Sequence, residues 1–141
     1  MSDFSFAQRD ALLRKETAFP AAGATGRTGI FDLGELTRLG IRDANMRLLL
    51  SSPALTAAQL PANASTEFVL EFCDDVAFPS DDTVTVTISD WKQAGSATGA
   101  LELVKEYRPE TNAKRFVRLQ CKNTGGTLAN AKFMFEIVTS S

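Results

Sequence analysis

Two stretches, Thr83-Val-Thr-Val-Thr-Ile-Ser89 and Lys132-Phe-Met-Phe-Glu-Ile-Val-Thr139, decide how this chain is read. Both place apolar side chains two residues apart, the spacing at which successive side chains of an extended strand point to opposite faces of a sheet. Val84, Val86 and Ile88 share one face of the first, and Phe133, Phe135 and Ile137 share one face of the second. Stripes of this kind bury one face of an antiparallel sheet and leave the other wet or free for contacts. Two such sheets packed stripe to stripe make a sandwich.

Five more runs read the same way: Thr28 to Leu33 (TGIFDL), Met46 to Ser51 (MRLLLS), Glu67 to Cys73 (EFVLEFC), Leu101 to Tyr107 (LELVKEY) and Arg115 to Cys121 (RFVRLQC). In EFVLEFC the stripe is Phe68, Leu70 and Phe72. Clusters of turn-forming residues separate the runs, at 60–63 (LPAN), 78–82 (FPSDD), 94–99 (AGSATG) and 122–126 (KNTGG). No amphipathic helix lies between them, which argues against a parallel sheet and removes most nucleotide-binding folds. Long connections suit a Greek-key route. The expected fold is all-β, an antiparallel jelly-roll β-sandwich over residues 28–141.

Residues 1–27 have no strand pattern and are expected to form an N-terminal arm. Within it AQRDALLRK, residues 7–15, reads as a short helix with Leu12 and Leu13 as its apolar contact. So short a helix is marginal alone and must lean on something, either its own sandwich or a neighbouring subunit. Phe4, Phe6, Leu12, Leu13 and Phe19 are the candidate protein-contact residues, as the apolar groups least able to bury themselves.

A chain of 141 residues fits one domain. With 15 basic and 17 acidic residues the net charge is -2, so no field of one sign is available to hold nucleic acid. No apolar run is long enough to span a bilayer, and MSDFSFAQRD has neither the basic start nor the apolar core of an export signal, so no membrane association or export is expected.

The chain has no histidine, which leaves no Ser-His or Cys-His nucleophile, and no enzymatic activity is expected. Glu67, Glu71, Glu102 and Glu106 read as outward-facing strand residues. Cys73 and Cys121 read as core thiols, although spacing alone does not decide against a disulfide. The Gly23-Ala-Thr-Gly-Arg-Thr-Gly29 stretch echoes a phosphate-binding turn, but the following residues read as a strand instead of the required helix, so it is taken as a loop. Asp74-Asp75 and Asp81-Asp82 match no calcium loop and read as a solvated turn. Lys105, Lys114, Arg115 and Arg118 are expected to be neutralised by cross-strand pairs with Glu102, Glu106 and Glu110. No metal or cofactor is expected.

Four segments together resemble the small jelly-roll cement, or decoration, proteins of tailed-bacteriophage capsids. They are Ile30-Phe-Asp-Leu-Gly34; Phe68-Val-Leu-Glu-Phe with Asp74-Asp75-Val-Ala-Phe78; Lys114-Arg-Phe-Val-Arg-Leu119; and Ala131-Lys-Phe-Met-Phe-Glu-Ile-Val138. The resemblance covers roughly residues 30 to 138. It implies a structural virion protein, made in the bacterial cytoplasm, that self-associates as a homodimer or homotrimer. On the capsid surface it would tie adjacent major capsid protein subunits together. The other reading that the fold permits is a carbohydrate-binding β-sandwich module, with Trp91 and Tyr107 alone available to stack on sugar.

Overall fold

The computed structural model describes residues 13–38, 46–109 and 114–139, and these form a two-layer antiparallel sandwich. In chain order the elements are β1 (Arg14–Ala18), β2 (Thr25–Arg27), β3 (Phe31–Asp32), α1 (Leu33–Arg38), β4 (Met46–Ser52), β5 (Ser65–Cys73), β6 (Val84–Ala94), β7 (Leu103–Tyr107), β8 (Phe116–Thr124) and β9 (Lys132–Thr139). Sheet A has the order β1-β9-β4-β7; sheet B has the order β2-β8-β5-β6, with β3 also pairing β8. The chain crosses repeatedly between the sheets, and its last strands insert beside its first, which is the jelly-roll route.

The apolar stripes of β5 and β9 become the core, whereas on β6 Val86 and Ile88 are half-buried against it and Val84 is 48% exposed, because β6 is the edge strand of its sheet. Phe68, Leu70 and Phe72 of β5 face Phe133, Phe135 and Ile137 of β9 across the sandwich, all buried. Phe68 and Phe133 meet edge to face at 5.3 Å, and Phe31 tilts onto Phe135 at 5.2 Å. Each fully buried phenylalanine contributes about 2–3 kcal/mol through removal of apolar surface from water.

The fold begins earlier than the sequence suggests. β1 pairs with β9 from Arg14↔Glu136 to Ala18↔Lys132, and β2 pairs with β8 from Thr25↔Lys122 to Arg27↔Gln120. Residues 14–27, expected in an arm, therefore belong to the sandwich; of the helix expected over 7–15, Arg14 and Lys15 are strand and residues 7–12 lie outside the described residues. The cause is position: β1 is an edge strand with one neighbour, so RKETA can form it without an apolar stripe. Of the glycine-rich segment 23–29, Thr25–Arg27 is a paired strand and the residues on either side are turn and loop, as expected.

The run from Thr28 to Leu33 also divides. Only Phe31 and Asp32 pair, and α1 starts at Leu33 because the Asp32 carboxylate accepts a hydrogen bond from Glu35 N at 3.0 Å, an N-cap arrangement. On β6, Ile88 to Trp91 stand opposite Phe68 alone, because the register jumps from Glu67↔Lys92 to Val69↔Thr87. This bulge turns Trp91 inward, where it is 3% exposed.

Candidate binding surfaces

The outer face of sheet A departs from the polar surface that alternation predicts. Met134 and Val138 of β9, Leu49 of β4 and Val104 of β7 lie outward on three adjacent strands, since Arg47 pairs with Val138, Ser51 pairs with both Met134 and Val104, and Leu49 pairs with Glu136 and Glu106. Val104 is 51% exposed and the other three are half-buried. Charged residues alternate with them: Leu49 lies between Glu136 and Glu106, Arg47 contacts Glu106 at 3.5 Å, and Glu16 contacts Lys132 at 3.3 Å. A shallow depression of about 300 Å³, lined by Ser51, Pro53, Glu102, Lys132 and Met134, continues the patch. Apolar groups interspersed with charged ones are compatible with a protein contact surface, which taken whole is about as apolar as the rest of a protein's exterior.

The outer face of sheet B is polar and carries a buried carboxylate. Glu71 was expected to face solvent, but its side chain is 7% exposed. One oxygen, Oε1, accepts hydrogen bonds from Nε of Arg27 at 2.9 Å and Nε of Arg118 at 2.8 Å. The Arg118 guanidinium also lies 4.0 Å over the ring of Phe78, a residue held at φ +51° in the loop after β5. That ring and the two guanidiniums account for the burial.

The same loop takes up the acidic cluster. Asp82 accepts from Lys114 Nζ at 2.7 Å and from the Cys73 thiol at 3.2 Å; Asp74 accepts from Arg115 N at 3.0 Å. The hydrogen bond from Lys114, then that from Cys73, holds the Asp82 carboxyl below its usual range. Asp32, bonded by both Nε and Nη2 of Arg115, and Asp90, bonded by Lys105, are lowered for the same first reason. All four cations expected to be neutralised are paired, but with Asp90, Asp82, Asp32 and Glu71 in place of Glu102 and Glu106; Glu110 lies outside the described residues. Cys73 and Cys121 are both free and buried; Cys121 faces the core, where burial pushes its pKa up to about 12. They lie on opposite faces of sheet B, since Cys121 pairs with inward-facing Phe68 and Cys73 follows inward-facing Phe72.

A third surface lies on the flank where both sheets end, between β6 and β7. An open groove of about 890 Å³ is lined by Asp90, Lys92, Gln93, Ser96, Thr98 and Lys105 over apolar Leu55 and Leu103. Lys105 and Asp90 close it with a 2.9 Å ion pair. Beneath it Gln93, 3% exposed, accepts from Ser52 at 2.7 Å and Thr66 at 3.2 Å, and donates to the carbonyls of Pro53 at 2.9 Å and Leu101 at 3.0 Å.

Of the five expected contact residues, Phe4, Phe6 and Leu12 lie outside the described residues. Leu13 is half-buried against the core. Phe19 is not a surface anchor: it is 8% exposed and packs on Phe133 at 5.1 Å and Phe68 at 6.3 Å, because β1 brings it into the sandwich. Trp91 offers no stacking platform, since its indole is buried with its edge on Tyr107 at 6.4 Å. The outer patch of sheet A was legible in part, since Met134 and Val138 fall between the inward positions of β9.

No family model and no curated protein matches the chain. Among solved structures it is similar to the CBM22-1 xylan-binding domain of Xyn10C from Paenibacillus barcinonensis, at 16% identity over 89% of this chain and 72% of that one, with a TM-score of 0.47. It is similar to the tandem CBM22-1-CBM22-2 domain of the same protein at 15% identity over 89% of this chain and 34% of that one, TM-score 0.47. A mutant Xylanase10C from Cellvibrio japonicus in complex with xylopentaose follows at 12% identity over 92% of this chain and 27% of that one, TM-score 0.35. At these scores the likeness carries no argument about ligand.

Proposed function

We propose that this jelly roll is a non-catalytic module that binds a protein surface, and that the surface is the outside of a phage capsid, whose adjacent major capsid protein subunits it cements as a homodimer or homotrimer. The observation that carries the protein-binding reading is the outer face of sheet A, where Leu49, Val104, Met134 and Val138 expose apolar surface on strands whose other faces already form the core. The capsid itself comes from the sequence resemblance. Contacts of modest size, repeated by symmetry over a shell, reach high occupancy through avidity.

Glycan binding is the second reading. The groove between β6 and β7 favours it, with amide, hydroxyl and ionic groups set over a small apolar floor, a lining suited to a neutral polyhydroxylated ligand. The buried Trp91 weighs against it, because sugar rings are commonly held on exposed aromatic faces.

Sedimentation with expanded tailed-phage shells that lack a decoration protein tests the first reading, and retardation in xylan-containing gels tests the second. The full chain is expected to saturate shells at a fixed ratio to the major capsid protein, and Val104→Lys to lose most of that binding while staying folded. Retardation by xylan together with no binding to any shell would overturn the cement reading.

A further inference from the structure

Arg27 and Arg118 converge on one buried carboxylate, and their charges do not balance. Glu71 supplies one negative charge to two guanidiniums and engages each through Nε. A guanidinium carries five N–H donors in a planar fork, so the terminal amino groups of both arginines remain as donors, with no hydrogen bond to them among the described residues. Arg27 is 43% exposed and Arg118 19%, so one fork reaches solvent and the other sits in its floor.

Both groups are held in place before any ligand arrives. Glu71 fixes the two Nε atoms, and Phe78 supports the plane of Arg118 from below at 4.0 Å. The left-handed backbone at Phe78, φ +51°, is costly for a residue with a side chain, and it places the ring under the guanidinium. Preorganised arginines lose little freedom on meeting an oxyanion, and their geometry matches a carboxylate bidentately.

We propose that Arg27 and Arg118 form a recognition site for a carboxylate displayed on the surface of a partner protein. The inference rests on the reading of the chain as a protein-surface binder, and it assigns polar recognition to sheet B beside the apolar face of sheet A. A polyanion fits the surroundings less well. Lys122 and Lys92 add positive charge, but Lys92 lies 3.6 Å from Glu67, and the loop carrying Asp74, Asp75 and Asp81 borders the site. Such a mixture repels a continuous phosphate backbone while accepting one side-chain carboxylate.

The test uses the full chain labelled with nitrogen-15. Side-chain Nε resonances are followed while a blocked glycine-rich peptide with a single glutamate, the same peptide with lysine in its place and a six-nucleotide thymidine oligomer are each titrated in low-salt buffer. Arg27 and Arg118 are expected to shift saturably with the glutamate peptide alone, and Arg27→Gln to weaken that binding about tenfold. Arg118 still holds Glu71 in that variant, so its melting temperature should change little. No shift at either arginine, an equal response to the oligonucleotide, or unchanged affinity in Arg27→Gln would each overturn the site. None of these results bears on binding through sheet A, which the shell assay reads separately.

Discussion

Replacing Gln93 with leucine should cost this sandwich a large share of its stability. The side chain is 3% exposed and satisfies four groups: the hydroxyls of Ser52 and Thr66 and the carbonyls of Pro53 and Leu101. Leucine fills a similar volume, so the effect is one of hydrogen bonding more than of cavity. Two carbonyls lose their donor at about 1–3 kcal/mol each, and the two hydroxyls lose about 1 kcal/mol each. The added apolar surface returns about 1–2 kcal/mol, and some water reaches the carbonyls from the groove, so a net loss of about 3 kcal/mol is expected. A domain of this size has roughly 5–15 kcal/mol in total. Urea unfolding followed by intrinsic fluorescence reads the loss as a lower midpoint with unchanged slope. Adding Ser52→Ala and Thr66→Val to the leucine variant should recover part of it, because partners removed together leave fewer orphaned groups. A loss below about 1 kcal/mol, or further destabilisation in the triple variant, would refute the idea that Gln93 ties the sheets together.

Three further outcomes follow from the geometry. Gly99 has φ +88° and its Cβ would run into the Leu55 carbonyl oxygen, so Gly99→Ala should unfold the chain at least about 2 kcal/mol more easily by thermal melt, and an unchanged midpoint would count against the strained turn. Asp32, Asp82 and Asp90 all have folded pKa values below 3.8, so the stability they add is full above that pH and is lost as pH falls through their lower folded values; midpoints should be flat from neutrality to about pH 5 and drop below about pH 4, and a loss beginning near neutrality would contradict this. Cys121 should resist alkylation in the folded state at pH 8, since its thiol is buried and its pKa is pushed up to about 12, whereas labelling as fast as in urea would place it at the surface.

How much of this was legible in the chain depended on where each strand sits. β5 and β9 lie between two neighbours and over the core, so burial wrote Phe68, Leu70, Phe72 and Phe133, Phe135, Ile137 into the sequence at period two. β1 and β2 are edge strands, and RKETA and TGR carry no such stripe, so the start of the fold was misplaced and Phe19 was taken for an exposed anchor. The bulge in β6 is set by the register between strands, a property of two segments at once, and so Trp91 could not be seen to turn inward. Glu71 illustrates the same limit. Its alternation marked it correctly as outward, but its cover comes from Arg27, Arg118 and Phe78, which lie far from it in sequence.

β9 sits between β1 and β4 in sheet A, with residues 14–18 paired to residues 132–136. During synthesis β1 therefore waits for its β9 partner until residues 132–139 have left the ribosome. The aromatic cluster closes only then, because Phe133 and Phe135 arrive with that strand. Closure of the sandwich waits for β9 and is dominated by long-range contacts, with a time scale of roughly milliseconds to seconds. A nascent chain stalled before residue 132 keeps its phenylalanines uncovered, which makes prematurely terminated products clear targets for chaperones and proteases.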